Sequence, residues 1–226
     1  TNAKRSKKRR MHYSILISQL AQTMLSELFL LCSVLFLSVF AVFYPSSLSK
    51  RARMYVVGFF SLQILLIALC LQGDFVKCFI VILSICCVLI SLDYLRDERF
   101  VVFEYFVLVL LVVLGLFFLV SATDFIWLYL ALELQSLSIY VLATIQRRSA
   151  YSSEAGLKYF ILGSFASCLF LFGVSLVYGA SGVIGFEELA RFTAVNSSSS
   201  SLLLLFGFIL VCSAIFFKLG AFPYHW

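Results

Sequence analysis

The sequence predicts an all-α, polytopic membrane protein of about seven transmembrane helices. Of its 226 residues 63% are hydrophobic and only two are prolines, and the mean hydropathy of +1.07 lies well outside the range of soluble domains. Apolar runs long enough to cross a ~30 Å hydrocarbon core at ~1.5 Å per residue recur along the chain. The segments between them are short and polar. No stretch has the composition of a soluble domain.

The chain opens with a basic tail, residues 1–21, in which Lys4, Arg5, Lys7, Lys8, Arg9 and Arg10 supply the whole formal charge of +6. The remaining body is neutral. On a membrane protein such a tail is expected to meet acidic phospholipid, a partner chain or an import machinery, and no nucleic-acid partner is expected. The first residue, Thr1, is not a methionine, which suggests processing. Residues 22–99 are expected to form three transmembrane helices, near 22–44, 55–72 and 75–95. Residues 100–226 are expected to hold four more, near 100–121, 124–146, 155–179 and 200–221. Within the longest connection, 186-FEELARF-192 has the pattern of a short amphipathic helix at the membrane interface.

Basic residues are unevenly shared between the two sets of loops. Lys50, Arg51, Arg53, Arg96, Arg99, Arg147 and Arg148 follow the first, third and fifth helices, against Lys77 and Arg191 on the opposite side. The basic set predicts the inner face. The amino-terminal tail then falls on the outer side and runs against the rule.

The seven cysteines all lie in apolar runs, with no Cys-x-x-Cys pair and no nearby histidine, and read as small buried hydrophobes. His12 and His225 are the only histidines, and the glycines of 179-GASGVIG-185 lack the spacing of a dinucleotide loop. No metal and no cofactor are expected in this chain.

Three charges fall inside otherwise apolar helices: Glu133, Lys158 and Lys218. Each costs roughly 2.5–3.5 kcal/mol at the bilayer centre, so each is expected to face protein or water and to have a partner. Glu133 sits near the middle of its run. It either pins neighbouring helices through hydrogen bonds or carries protons. Lys158 lies on the next helix between Gly156 and Gly163, whose small surfaces let helices approach, yet it is also near enough to a loop to snorkel. Lys218 is followed by Gly220 and Pro223, which should break the last helix just past the charge. Gln135, Ser136 and Ser138 could hold water beside Glu133. Glu27 and Glu104 stand nearer helix ends and read as interfacial carboxylates, and Asp124 as an N-terminal helix charge.

The stretches 131-ALELQSLSIYVLA-143, 153-SEAGLKYFILGSFAS-167 with 178-YGASG-182, and 218-KLGAFPYHW-226 carry a family resemblance. They resemble chain 2 of mitochondrial NADH–ubiquinone oxidoreductase, respiratory complex I, whose bacterial counterpart is subunit N. The resemblance covers about residues 100–226. It implies the first part of an antiporter-like inverted-repeat fold with a broken seventh helix, in which protons move along buried charges. By position Glu133 resembles that family's fifth-helix glutamate, Lys158 a sixth-helix lysine, and Lys218 the lysine of the broken helix. The implied setting is the mitochondrial inner membrane, with the basic loops toward the matrix, beside other membrane-arm subunits, and with the redox groups held by other subunits of the complex.

The family continues through a second repeat, whereas this chain ends at Trp226 inside a Pro-x-His-x-Trp type motif. The expectation is a split subunit whose remaining half is a separately encoded chain; a truncated sequence is the alternative. Two other functions stay open: a subunit of a multi-chain cation/proton antiporter, and a non-transporting assembly or scaffold subunit.

Overall fold

The computed structural model describes residues 24–43, 50–97, 104–146, 149–195 and 202–222. The basic tail and Pro223–Trp226 lie outside the described residues, as do Arg99, Arg147 and Arg148. The described residues fold into helices: α1 (Met24–Phe43), α2 (Lys50–Leu71), α3 (Phe75–Asp97), α4 (Glu104–Val120), α5 (Phe125–Ala143), α6 (Ala150–Ser181), α7 (Phe186–Val195) and α8 (Leu202–Leu219). Among them six are long and apolar enough to cross a membrane, and α4 is a shorter apolar helix of 17 residues. The chain divides into two compact units, one ending at Phe117 and the other beginning at Phe118.

In the first unit α3 turns small residues inward and several large apolar ones outward. The inward stripe of α3 is Lys77, Val81, Ser84, Val88, Ser91 and Leu95, at alternating steps of four and three residues, while Phe75, Phe79, Ile82 and Ile90 are exposed. Small inward residues let membrane helices approach closely, and outward Phe and Ile suit a lipid environment. The sheltered hydroxyls satisfy themselves on their own helices: Ser61 donates to the Gly58 carbonyl at 2.7 Å and Ser91 to that of Val88 at 2.8 Å. Cysteines follow the outward rule as well. Cys32, Cys70, Cys86, Cys87, Cys168 and Cys212 are exposed and only Cys78 is half-buried, which corrects the expectation of buried thiols.

Two charges depart most from the sequence reading. Lys77, counted above as a loop residue, lies in the first turn of α3 with its side chain 1% exposed, and Glu27, read as an interfacial carboxylate, is 7% exposed in α1. They form an ion pair at 2.7 Å. Asp74 stands 3.9 Å from the same ammonium, which also lies 5.7 Å from the centroid of the Phe117 ring. A charge this far from water persists only with such partners.

In the second unit, α6 is a 32-residue helix held at both ends. Ser149 caps its start by accepting a hydrogen bond from the Ser152 amide, and Gly182, at φ 72°, closes its end in a left-handed conformation. At ~48 Å it overshoots a ~30 Å hydrocarbon core, so its polar start, 150-AYSSEAGLK-158, can reach the interface. The starts of α5 and α7 are tied to each other: Phe125 donates its amide to the Ile184 carbonyl at 3.4 Å and Phe186 to that of Thr123 at 3.1 Å. The amphipathic piece expected over 186–192 forms α7, which buries Leu189 and leaves Glu187 and Arg191 exposed as an ion pair.

Helices α6 and α8 meet backbone to backbone. A Cβ on Gly173 would stand 2.9 Å from the Gly207 carbonyl oxygen, and a Cβ on Gly207 would stand 2.9 Å from that of Gly173. No side chain fits there. Gly207→Ala is therefore expected to force the helices apart and to cost about 1–3 kcal/mol, read as a lower unfolding midpoint of the purified protein. An unchanged midpoint would contradict this packing.

Candidate functional site

Glu133 is the ninth of the 19 residues of α5, close to the middle of the helix. Its carboxylate faces α6 and α8. Glu133 Oε1 accepts hydrogen bonds from the Lys218 ammonium, at 3.1 Å, and from the Ser167 hydroxyl. The side chains of Glu133 and Lys218 are 21% and 15% exposed, sheltered but not sealed.

The helix contacts set this meeting. Ser167 lies one turn from Gly163, and its hydroxyl oxygen also stands 3.0 Å from the Gly163 carbonyl oxygen, so its single proton is shared between that carbonyl and the Glu133 carboxylate. The Gly173–Gly207 crossing seats α8 on α6, and Lys218 follows three turns further along α8. The helix ends one residue after Lys218. Gly220 takes φ 63°, its amide donates to the Phe217 carbonyl at 3.1 Å, and the Ala221 amide donates to that of Phe216 at 3.0 Å. These two bonds make a Schellman closure, which needs a residue at ease with positive φ. Whether helix resumes after the expected break lies outside the described residues.

Lys158 stands elsewhere. Its ammonium pairs with Glu154 at 2.6 Å, one turn back on α6, and both side chains are largely exposed. It does not meet Glu133 in this arrangement. Of the three residues singled out in the sequence, the structure brings Glu133 and Lys218 together and leaves Lys158 on an outward face with its own carboxylate.

Sequence reasoning gave no role to Ser167 or Tyr140. Tyr140 is buried seven residues after Glu133, and its hydroxyl occupies the space that a side chain on Gly163 would take. Ser136 lies between them in sequence and is buried as well. Thr144 is seated against Gly156 in the same way, and Ser152 of α6 donates to the Ala143 carbonyl at 2.7 Å. The available signal was the spacing of the small residues Gly156, Gly163 and Ser167, which marks the α6 face turned to α5. Ser136 and Ser138, expected to hold water, bond to backbone carbonyls of Glu133 and Leu134 at 3.2 and 2.9 Å.

Residues 122–226 match the family model described as NADH:quinone oxidoreductase/Mrp antiporter, TM. The chain is 43% identical over 153 residues to NADH-quinone oxidoreductase subunit N 1 of Rhizobium meliloti, a match covering 68% of this chain and 32% of that protein. It is 41% identical over 157 residues to NADH-ubiquinone oxidoreductase chain 2 of Marchantia polymorpha, covering 67% and 32%. The chain thus spans about a third of the length of these curated relatives. Its fold is similar to a chain of respiratory complex I from Thermus thermophilus with bound aureothin, at TM-score 0.67 and 26% identity, over 88% of this chain and 45% of that one. A chain of the archaeal membrane-bound sulfane sulfur reductase shares the fold at TM-score 0.63 and 19% identity.

Proposed function

Because the chain belongs, through residues 122–226, to the NADH:quinone oxidoreductase/Mrp antiporter transmembrane family, we propose that it carries protons in the membrane arm of respiratory NADH:quinone oxidoreductase. The observation that carries this reading is the contact between Glu133, in the middle of α5, and Lys218, in the last turn of α8. The Glu133 carboxylate accepts a hydrogen bond from the Lys218 ammonium. A proton arriving on Glu133 removes the charge that this ammonium faces, so arrival at one member of the pair is felt by the other. Ser167 keeps the carboxylate oriented through both states. The pair thus converts arrival of one proton into departure of another.

Lys158, paired with Glu154, enters the proposal as a separate station nearer the start of α6. The redox chemistry belongs to other subunits, and their charge or conformational changes would have to bias this pair. The setting proposed is the mitochondrial inner membrane, with other membrane-arm subunits and phospholipid as neighbours. The experiment is Lys218→Met in the assembled complex, with protons moved per NADH oxidised measured in sealed vesicles. The ratio is expected to fall with assembly preserved. An unchanged ratio would refute the assignment.

A further inference from the structure

We infer that Ser167 is a positioning residue that divides the two oxygens of Glu133, tying down Oε1 and leaving Oε2 to receive the arriving proton. This rests on the proton-carrying reading of Glu133 and Lys218. The contacts are one-sided. The Ser167 hydroxyl and the Lys218 ammonium both donate to Oε1, one from α6 and the other from α8, and among the described residues none donates to Oε2. A carboxylate oxygen has two lone pairs, and two donors on Oε1 take up both. The side chain is 21% exposed, within reach of water. A proton arriving from a hydronium ion therefore forms its O–H bond at Oε2 and leaves a water molecule behind; no group is oxidised and no other reactant is needed.

Packing on either side holds the Ser167 hydroxyl at this height. One turn before it on α6, Gly163 makes room for the Tyr140 hydroxyl of α5; three residues after it, the Phe170 ring stacks on that of Tyr129 at 6.0 Å between centroids. Tyr129 and Tyr140 stand on α5 on either side of Glu133 in sequence. The two contacts fix the register of α5 against α6, and Ser167, 6% exposed, meets Glu133 between them. Lys218 has no such frame, because its ammonium ends a flexible four-carbon stem. With Lys218 as the sole donor the carboxylate could turn over: its last torsion is broad and twofold, and the ammonium would follow either oxygen.

The Gly163 carbonyl gives this hydroxyl a second acceptor on its own helix, at 3.0 Å. Ser61 and Ser91 also bond back to their own helices, but Ser167 faces a carboxylate from another helix as well. While Glu133 carries its charge, the charge-assisted bond is the stronger of the two. Once Oε2 holds a proton, Oε1 is a neutral carbonyl and the two acceptors compete on level terms. The grip on Glu133 is thus firmest in the state that awaits a proton.

The test is Ser167→Ala in the assembled complex, which deletes one oxygen from a face whose register Tyr129 and Tyr140 hold. Protons moved per NADH oxidised are expected to fall about three- to tenfold, from misplacement of the accepting oxygen, with the amount of assembled complex unchanged. Infrared difference spectra give the second readout. The carboxyl stretching band that Glu133→Gln abolishes is expected to move to higher frequency in Ser167→Ala, because the carbonyl has lost a donor. Ser167→Thr keeps the hydroxyl and is expected to restore both the ratio and the band. A hydroxyl that serves only its own helix would leave them unmoved in Ser167→Ala, and an unchanged ratio or an unmoved band overturns the positioning role. If Glu133→Gln has lost pumping in the same preparations, the proposed function then stands without it. Normal pumping in Glu133→Gln refutes the proposed function, and the positioning role with it.

Discussion

Glu133→Gln is expected to lower proton translocation by about 10²-fold while leaving the complex assembled. The amide matches the carboxylate in size and can still accept the Ser167 hydrogen bond, so α5, α6 and α8 keep their packing. What disappears is the charge. Without it, Lys218 loses the partner now 3.1 Å away, and no charged group remains at this point of α5. NADH oxidation is expected to fall less than pumping, so that protons moved per NADH oxidised drop. Glu133→Asp keeps the charge but shortens its reach by one methylene, and is expected to retain part of the activity. Measurement of both ratios in the same vesicles separates charge from shape.

Glu27→Gln is expected to destabilise the protein by about 3–5 kcal/mol, because it strands the Lys77 ammonium with its side chain 1% exposed. Asp74 is 3.9 Å from that ammonium but 46% exposed, so solvent screens much of its help. The Phe117 ring adds a weaker attraction. The reverse variant, Lys77→Met, takes the ammonium away from the buried Glu27 carboxylate and is also expected to destabilise the protein. Changing both residues together, Glu27→Gln with Lys77→Met, removes both charges and should recover most of the loss. Thermal unfolding of the purified protein reads all three. Equal midpoints for Glu27→Gln and the unaltered protein would rule out a stabilising pair.

The membrane class and the helix order were legible because long apolar runs are dictated by bilayer thickness and interrupted by short polar hinges. Glu133 and Lys218 were legible for a related reason: a charge inside such a run stands out by its cost. Lys77 and Glu27 were not. Each lies in the first turn of its helix, where sequence alone cannot distinguish a solvated end from a charge folded against a neighbour. Nor could hydrophobicity say which face was buried, since Phe79 and Ile90 point outward while Ser84 and Ser91 point inward. A membrane helix is apolar on both sides, and size sorts the faces better than polarity does. The cysteines were misread on the same ground. Ser167 and Tyr140 carry no charge and look ordinary in sequence; only the fit of Tyr140 into the space left by Gly163 reveals that face.

Lys158 shows a different limit. Its place between Gly156 and Gly163 suggested contact with α5, but four residues back Glu154 lies on the same side of α6, and an i,i+4 pair forms more readily than a contact across helices. The small residues serve Tyr140 and Thr144 instead. The two glycines flank the lysine in sequence while facing away from it on the helix.

The most direct measurement of whether Glu133 and Lys218 act as one proton-carrying unit is a double-mutant cycle on protons moved per NADH oxidised. It compares Glu133→Gln, Lys218→Met and the two together in assembled complex. If the pair works as a unit, either single change disables it and the double variant falls no further than the worse single one. Losses that multiply in the double variant, or full pumping in either single one, would contradict the account.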